Sequence, residues 1–273
     1  TLARHRLAHA HDGAICMKMI DKHVAWNALL LPILILLVWQ GLALRAHTPL
    51  FPGPWQIMLS IGRLYPQIVG QLGHTLMRAC IGFLVAATLM VPLGILLGRL
   101  KLLGQILEPA IDMLATLPPP AVVPIVMLFA GTGDAAKIVI ICYAASVPLL
   151  MNTYEASKTV HPSANLVARA LHLTRLEAMW HIDLPAALPM IATGIRLAVS
   201  SALLVSVTSE MLLATNGIGV FIQRQQENFQ IAGGLAGIAF ISLAGLIINS
   251  LVFQFEKRWL FWHYRNLDTN SKG

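Results

Sequence analysis

Six apolar stretches divide this chain, and each reaches or approaches the length needed to cross a bilayer. A helix spans the hydrocarbon core with about 20 apolar residues, within a range of about 17–25. The stretches are Trp26–Leu44, His74–Leu97, Ala110–Ala130, Ala135–Met151, Ala186–Val207 and Ile231–Phe255. The third carries Pro118, Pro119, Pro120 and Pro124. The fourth is short, with Lys137 placed to snorkel at its end. Charged residues gather between the runs, as they do in a chain that crosses repeatedly. The pattern predicts an all-α membrane protein of six transmembrane helices, with a long connection, Asn152–Pro185, between helices 4 and 5. It divides into an N-terminal segment over residues 1–25, a six-helix membrane domain over 26–255 that includes the loop 152–185, and a tail over 256–273. The chain opens on Thr1, with Met17 and Met19 as alternative starts.

Composition narrows the class. Hydrophobic residues make up 57% of the chain and charged ones 11%, with a mean hydropathy of +0.71, which excludes a soluble domain on a single anchor. The net charge of +7 raises a nucleic-acid partner, but no basic stripe interleaves with aromatics. The basic residues instead flank the apolar runs, where lipid head groups and topology account for them. Thirteen fall on one side: Arg4, Arg6, Lys18, Lys22, Arg99, Lys101, Lys158, Arg169, Arg175, Lys257, Arg258, Arg265 and Lys272. Four fall on the other: Arg45, Arg63, Lys137 and Arg224. That bias predicts a multi-pass protein of a bacterial plasma membrane with both termini cytoplasmic. Cys16, Cys80 and Cys142 have neither disulfide nor CxxC spacing.

Loops as long as Asn152–Pro185 inside a compact protein are usually functional. Within this one, Ser163 caps a predicted amphipathic helix on which Leu166, Val167, Ala170, Leu171 and Thr174 share a face. Such a helix either lies on lipid or docks into a groove of a soluble partner. Inside the spans, Pro118-Pro119-Pro120 removes three backbone donors, which is tolerated in protein or beside a water-filled cavity. That makes the triplet a candidate for the translocation path, against a plain structural kink. Glu210 is a candidate gate residue that repels an anion unless Arg196 or another cation neutralises it. Ser200, Ser201, Ser206, Thr208 and Ser209 suit close helix packing, with Ser206 and Ser209 as alternative path-lining hydroxyls. Glu108 and Asp112 share a face at the expected start of the third span, where a helix dipole favours acids. His5, His9 and His11 lie close together, but nothing completes a metal site, and none is expected.

After the loop helix the chain runs His181-Ile-Asp-Leu-Pro-Ala-Ala-Leu-Pro189, then Met190-Ile-Ala-Thr-Gly-Ile-Arg-Leu197. This resembles the cytoplasmic signature loop of ABC-type importer permeases, nearest to the nitrate, sulfonate, taurine and bicarbonate branch. His74-Thr75-Leu76, Gly82-Phe83, Leu117-Pro118-Pro119, Gly131-Thr-Gly133, Glu210-Met211-Leu212 and Gly217-Ile-Gly219 agree in order and spacing. The resemblance spans roughly Leu72 to Trp262. It implies a non-catalytic permease subunit that carries a small polar solute, such as nitrate, bicarbonate or a sulfonate, by alternating access. It implies two permease copies, two cytoplasmic ATPase subunits that bind ATP and Mg, and an extracytoplasmic solute-binding protein. It assigns ATPase coupling to Leu166, Val167, Ala168, Arg169, Ala170, Leu171, His172, Thr174, Met179, Leu184 and Pro185. Two positions depart from the family pattern: Leu166 stands where a Glu is expected, and His172 where a Gly permits a sharp turn. The chain has no G-x-x-x-x-G-K-[ST] phosphate loop, so ATP hydrolysis is assigned to a partner. The alternative is a membrane-embedded enzyme or an autonomous channel. An enzyme needs ionisable residues converging on facing spans, and a channel has no use for the Leu-Pro loop.

Overall fold

The computed structural model describes residues 30–158, 170–178, 181–182, 184–213 and 215–261. The elements are α1 (Leu30–Ala46), α2 (Pro54–Arg99), α3 (Lys101–Thr116), α4 (Pro119–Ala130), α5 (Asp134–Lys158), α6 (Arg175–Ala178), α7 (Leu184–Leu213), α8 (Ile218–Glu227) and α9 (Ile231–Trp259). Every element among the described residues is helical. α2, α5, α7 and α9 are each long and apolar enough to cross a membrane. α3 and α4 make a fifth span if the bent pair is counted as one.

α2 begins where Pro54 supplies a fixed φ at the first helical position and Gln56 Oε1 accepts from the Gly53 amide at 3.3 Å. It runs for 46 residues, about 69 Å at 1.5 Å per residue, more than twice the hydrocarbon thickness. The sequence pattern marks only its second half, because residues 54–73 are more polar; they continue the same helix rather than forming a loop. α5 is likewise longer than expected, and Asn152–Lys158 belong to it rather than to the connection that follows.

The centre of the bundle is α5, clasped between α2 and α7. Ile140, Ile141, Ala144, Ala145 and Leu149 of α5 pack with Ala86 of α2 and with Ala198, Ala202 and Val205 of α7. Small residues set the distance. A Cβ at Gly82 would stand 2.6 Å from Ile141 Cγ2, and one at Gly94 2.7 Å from Thr153 Cβ. Between helices in lipid, such close backbone approach replaces the hydrophobic drive available in water. A second cluster joins α2 to α8 and α9 through Ile57, Ile68, Ile218, Phe221, Ile222 and Ala236. Around this core, large side chains such as Leu34, Leu89, Leu128, Leu204 and Leu246 face outward. So wide an apolar exterior has no place in water, and in a membrane it meets acyl chains.

Candidate functional site

At one end of the bundle, α2, the start of α5, the end of α7 and the turn before α8 converge on a buried charge network. Its hub is Arg78, one of the largest fully buried side chains. Arg78 Nη1 lies 2.7 Å from Glu210 Oε1 and donates to the Asn216 carbonyl at 3.1 Å, while Nη2 bonds Asn216 Oδ1. On its other edge, Nε and Nη2 reach Asp134 Oδ1 at 3.0 and 2.9 Å. The Lys137 ammonium holds the same oxygen at 2.9 Å. Glu210 also accepts from Thr75 Oγ1 at 2.8 Å and from the Gly219 amide at 3.1 Å. Thr75 Oγ1 in turn accepts from the Ile218 amide at 2.9 Å, and Gln71 Oε1 takes the Gly217 amide at 2.6 Å. Gly217 adopts φ +116, and a Cβ there would overlap the Glu210 carboxylate. Only glycine allows both the dihedral and the approach.

This geometry settles what neutralises Glu210. The cation is Arg78 from α2, about one turn inside the expected second span, and Arg196 instead faces Glu256 of α9 at 3.7 Å. Two charges of one chain fall together here although 132 positions separate them, so no local pattern announces the pair. Lys137 differs from expectation: its side chain is 3% exposed and turns back to Asp134 rather than snorkelling. Solvation by water is replaced by a charge-assisted hydrogen bond one turn away. Ser206 and Ser209 sit in the same buried layer, with Ser206 Oγ donating to the Thr75 carbonyl at 3.2 Å and Ser209 Oγ to the Ser206 carbonyl at 2.9 Å. The Ser206 hydroxyl thus ties α7 to α2, and that of Ser209 stays within α7.

The proline triplet also sits differently from expectation. The chain breaks at Leu117–Pro118, and α3 and α4 meet at 96°. Pro118 is the N-cap of α4, and Pro119 and Pro120 open its first turn, where helix amides have no partner in any case. So no donor is lost from mid-helix; what the break frees is carbonyls at the end of α3. Tyr143 of α5 covers them, donating its phenol to the Leu114 carbonyl at 2.8 Å or the Leu117 carbonyl at 3.3 Å. Tyr143 carries no sequence signal, since its partner is a backbone exposed only by the bend. Beside the kink opens a cavity of about 620 Å³, lined by Leu117, Pro119, Tyr143, Asn152, Met190 and Ser201, among others.

Glu108 is not at a helix start. It lies mid-way along α3 and bridges to α5, accepting from Lys158 Nζ at 3.2 Å and Tyr154 Oη at 3.3 Å.

At the opposite end of the bundle lies the loop between α5 and α7. Leu166, Val167, Ala168, Arg169 and Met179 fall outside the described residues. Ala170 is helical, the chain turns at Leu171–His172, and His172 takes φ +51. This is the sharp turn for which glycine is suited, made here by a residue that tolerates it at some cost. Thr174 therefore does not extend the face of Ala170 and Leu171. It caps α6: its amide and hydroxyl donate to Glu177 Oε2 at 2.8 and 2.7 Å, and Glu177 N donates back to Thr174 Oγ1 at 3.3 Å. Those bonds hold the Glu177 carboxyl below its ordinary range. Leu171 is 63% exposed. Leu184 and Pro185 open α7, Pro185 in the first turn where it costs nothing. His5, His9 and His11 lie outside the described residues, among which no group of three His, Cys, Asp or Glu could hold a metal ion.

Comparison with known proteins matches this architecture. The chain is 34% identical over 262 residues to the putative aliphatic sulfonates transport permease protein SsuC of Bacillus subtilis, covering 94% of this chain and 95% of that one. It is 27% identical to the taurine transport system permease protein TauC of Escherichia coli, over 89% and 92% of the two chains. It is 35% identical to the nitrate import permease protein NrtB of Leptolyngbya laminosa, over 67% and 65%. The fold is shared with an inward-facing MetNI methionine ABC transporter, at TM-score 0.58 and 17% identity over 71% of this chain and 94% of that one. Residues 90–260 match the binding-protein-dependent transport system inner membrane component family. With a core of crossing helices, a polar loop at one end and that match over more than half its length, the chain belongs to this family and is a non-catalytic, multi-pass ABC importer permease of the inner membrane.

Proposed function

We propose that this chain forms, with a second copy of itself, the translocation path for a small oxoanion, and moves it by alternating access. The observation that carries the substrate class is the near-full-length likeness to a permease named for aliphatic sulfonates, joined by others named for taurine and nitrate. A sulfonate, a nitrate and the sulfonate end of taurine offer the same chemistry: a compact group with its charge spread over three oxygens. α1, α2, the bent pair α3–α4, α5, α7 and α9 supply six crossings. The Lys and Arg bias places the loop between α5 and α7 in the cytoplasm and the Arg78–Glu210 end outside.

Two cytoplasmic ATPase subunits supply the energy and bind ATP and Mg; a solute-binding protein delivers the anion from outside. The ATPase docks on residues 166–185. The turn at His172 supports this, because it presents exposed Leu171 just before α6. The test is Leu171→Asp in the assembled transporter. A leucine leaving an apolar groove costs about 1.5–3 kcal/mol, and a carboxylate entering it costs more. ATPase co-purification and anion uptake are both expected to fall while the permease still inserts. Unchanged association and uptake would move the docking site elsewhere, with Glu155 and Lys158 the next residues to test.

A further inference from the structure

The Arg78 network holds its two carboxylates very differently. Glu210 is fully buried and fixed by Thr75, Gly219 and Arg78 from three directions. Asp134 has a side chain 54% exposed, yet it is the partner of two cations whose side chains are only 1% and 3% exposed. Burying an ion pair costs desolvation, which is offset only when both charges are held by matched hydrogen bonds. Here the cations are buried and the anion faces out. All three donors, Arg78 Nε, Arg78 Nη2 and Lys137 Nζ, converge on a single oxygen, Oδ1. A guanidinium edge is shaped to grip two oxygens side by side; Asp134 offers it one, and Nη2 takes its second oxygen from the neutral Asn216 side chain, so no second anionic oxygen fills the fork.

We propose that Arg78 and Lys137 form a binding site for a monovalent oxoanion, occupied in this conformation by the protein's own Asp134 carboxylate. The solute's anionic group takes the site when Asp134 turns away. This rests on the reading of the chain as an oxoanion permease and names the residues that meet the anion. A planar nitrate or a sulfonate places two oxygens on the Arg78 edge and a third toward Lys137. The charges agree: with Asp134 in place the four groups sum to zero, and with Asp134 withdrawn the remaining Arg78, Lys137 and Glu210 carry +1. Withdrawal needs only a rotation of the Asp134 side chain at the first residue of α5. The turn before it is open, with nothing within 4 Å of a Cβ at Gly131 or Gly133. A tethered carboxylate competes at high effective concentration, which keeps the site closed to stray anions and yields it to a delivered one.

The test uses purified full-length permease in lipid nanodiscs, wild type and Asp134→Asn, which keeps the side-chain shape and removes the charge. Thermal unfolding is followed while sodium nitrate or sodium methanesulfonate replaces sodium gluconate at constant ionic strength. Asp134→Asn is expected to show a saturable rise in Tm with nitrate and with methanesulfonate, half-saturating at least about tenfold lower than wild type, because the tethered competitor is gone. Adding Lys137→Gln is expected to abolish the rise. A Tm no higher in nitrate or methanesulfonate than in gluconate alone, or a response that survives Lys137→Gln, overturns the site. Should Asp134→Asn fail to accumulate, wild type against Lys137→Gln decides alone: nitrate must raise the wild-type Tm at higher concentration and leave the variant unmoved. A missing anion response with uptake intact removes this site only. Loss of oxoanion uptake by the wild-type transporter removes the transport reading itself.

Discussion

Glu210 and Arg78 show at single-residue scale why a buried charge in a membrane helix must be read with its partner. Their 2.7 Å bond joins two buried side chains, and each charge offsets the other. Removing one leaves the other uncompensated at a cost of about 3–5 kcal/mol. Glu210→Ala is therefore expected to lower the thermal stability and yield of the purified permease sharply. Glu210→Gln, which still accepts from Thr75 and Gly219, is expected to fall between it and wild type; equal stability of all three would show that the pair contributes nothing. At the loop end, His172 occupies φ +51 where glycine carries no steric penalty. His172→Gly is expected to leave ATPase association intact or tighten it, as measured by co-purification. A loss as large as that of Leu171→Asp would mean that the imidazole itself makes a contact.

Among the elements, the bend between α3 and α4 and the cap of α6 are the two that local chemistry controls most directly. Tyr143 ties α5 to the 96° bend, donating to the Leu114 carbonyl, which also takes the Leu117 amide at 3.3 Å. Tyr143→Phe keeps the ring and removes the hydroxyl, at an expected cost of about 0.5–1.5 kcal/mol, the net worth of a hydrogen bond whose acceptors are exposed. The cavity lies at the bend, so uptake rate is expected to fall with stability. Unchanged uptake and Tm would show that the carbonyls find another donor. In α6, the Thr174–Glu177 box depends on an ionised Glu177, whose pKa is lowered chiefly by the hydrogen bond from the Thr174 side chain. A group with a depressed folded pKa stabilises above its unfolded value and loses that contribution as pH falls through the folded one. Amide exchange at residues 175–178, corrected for its intrinsic pH dependence, is expected to quicken in that acidic window. Glu177→Ala is expected to exchange fast throughout.

For the whole molecule, one end of the bundle is tied by ionic contacts among α2, α5, α7 and the turn before α8, and the other carries a polar loop. In the proposed alternating access, rocking about the packed centre would open and close these ends in opposition. Reporter fusions after residues 160 and 265 are expected to be cytoplasmic, and fusions near residue 60 extracytoplasmic. A fusion at 160 that reports outside would invert the bundle and detach the loop from any cytoplasmic ATPase. The isolated chain is expected to hydrolyse no ATP until its ATPase partner is co-expressed.

Helix class, membrane residence and the family were legible in the sequence because they rest on local properties: runs of apolar residues about a bilayer long, breaks at proline and glycine, and ordered short motifs such as Leu117-Pro118-Pro119 and Gly217-Ile-Gly219. Even the turn at position 172 was marked, by the glycine that the motif leads one to expect there. What only the tertiary structure decided are the pairings. Arg78 with Glu210, Lys137 with Asp134 and Tyr143 with the Leu114 carbonyl depend on which faces of distant helices meet, and at what depth. Hydropathy places Arg78 and Lys137 in or beside spans but is silent on their azimuth. In a low-dielectric core the azimuth decides whether a charge finds a partner, so the electrostatics of this permease emerge only once the helices pack.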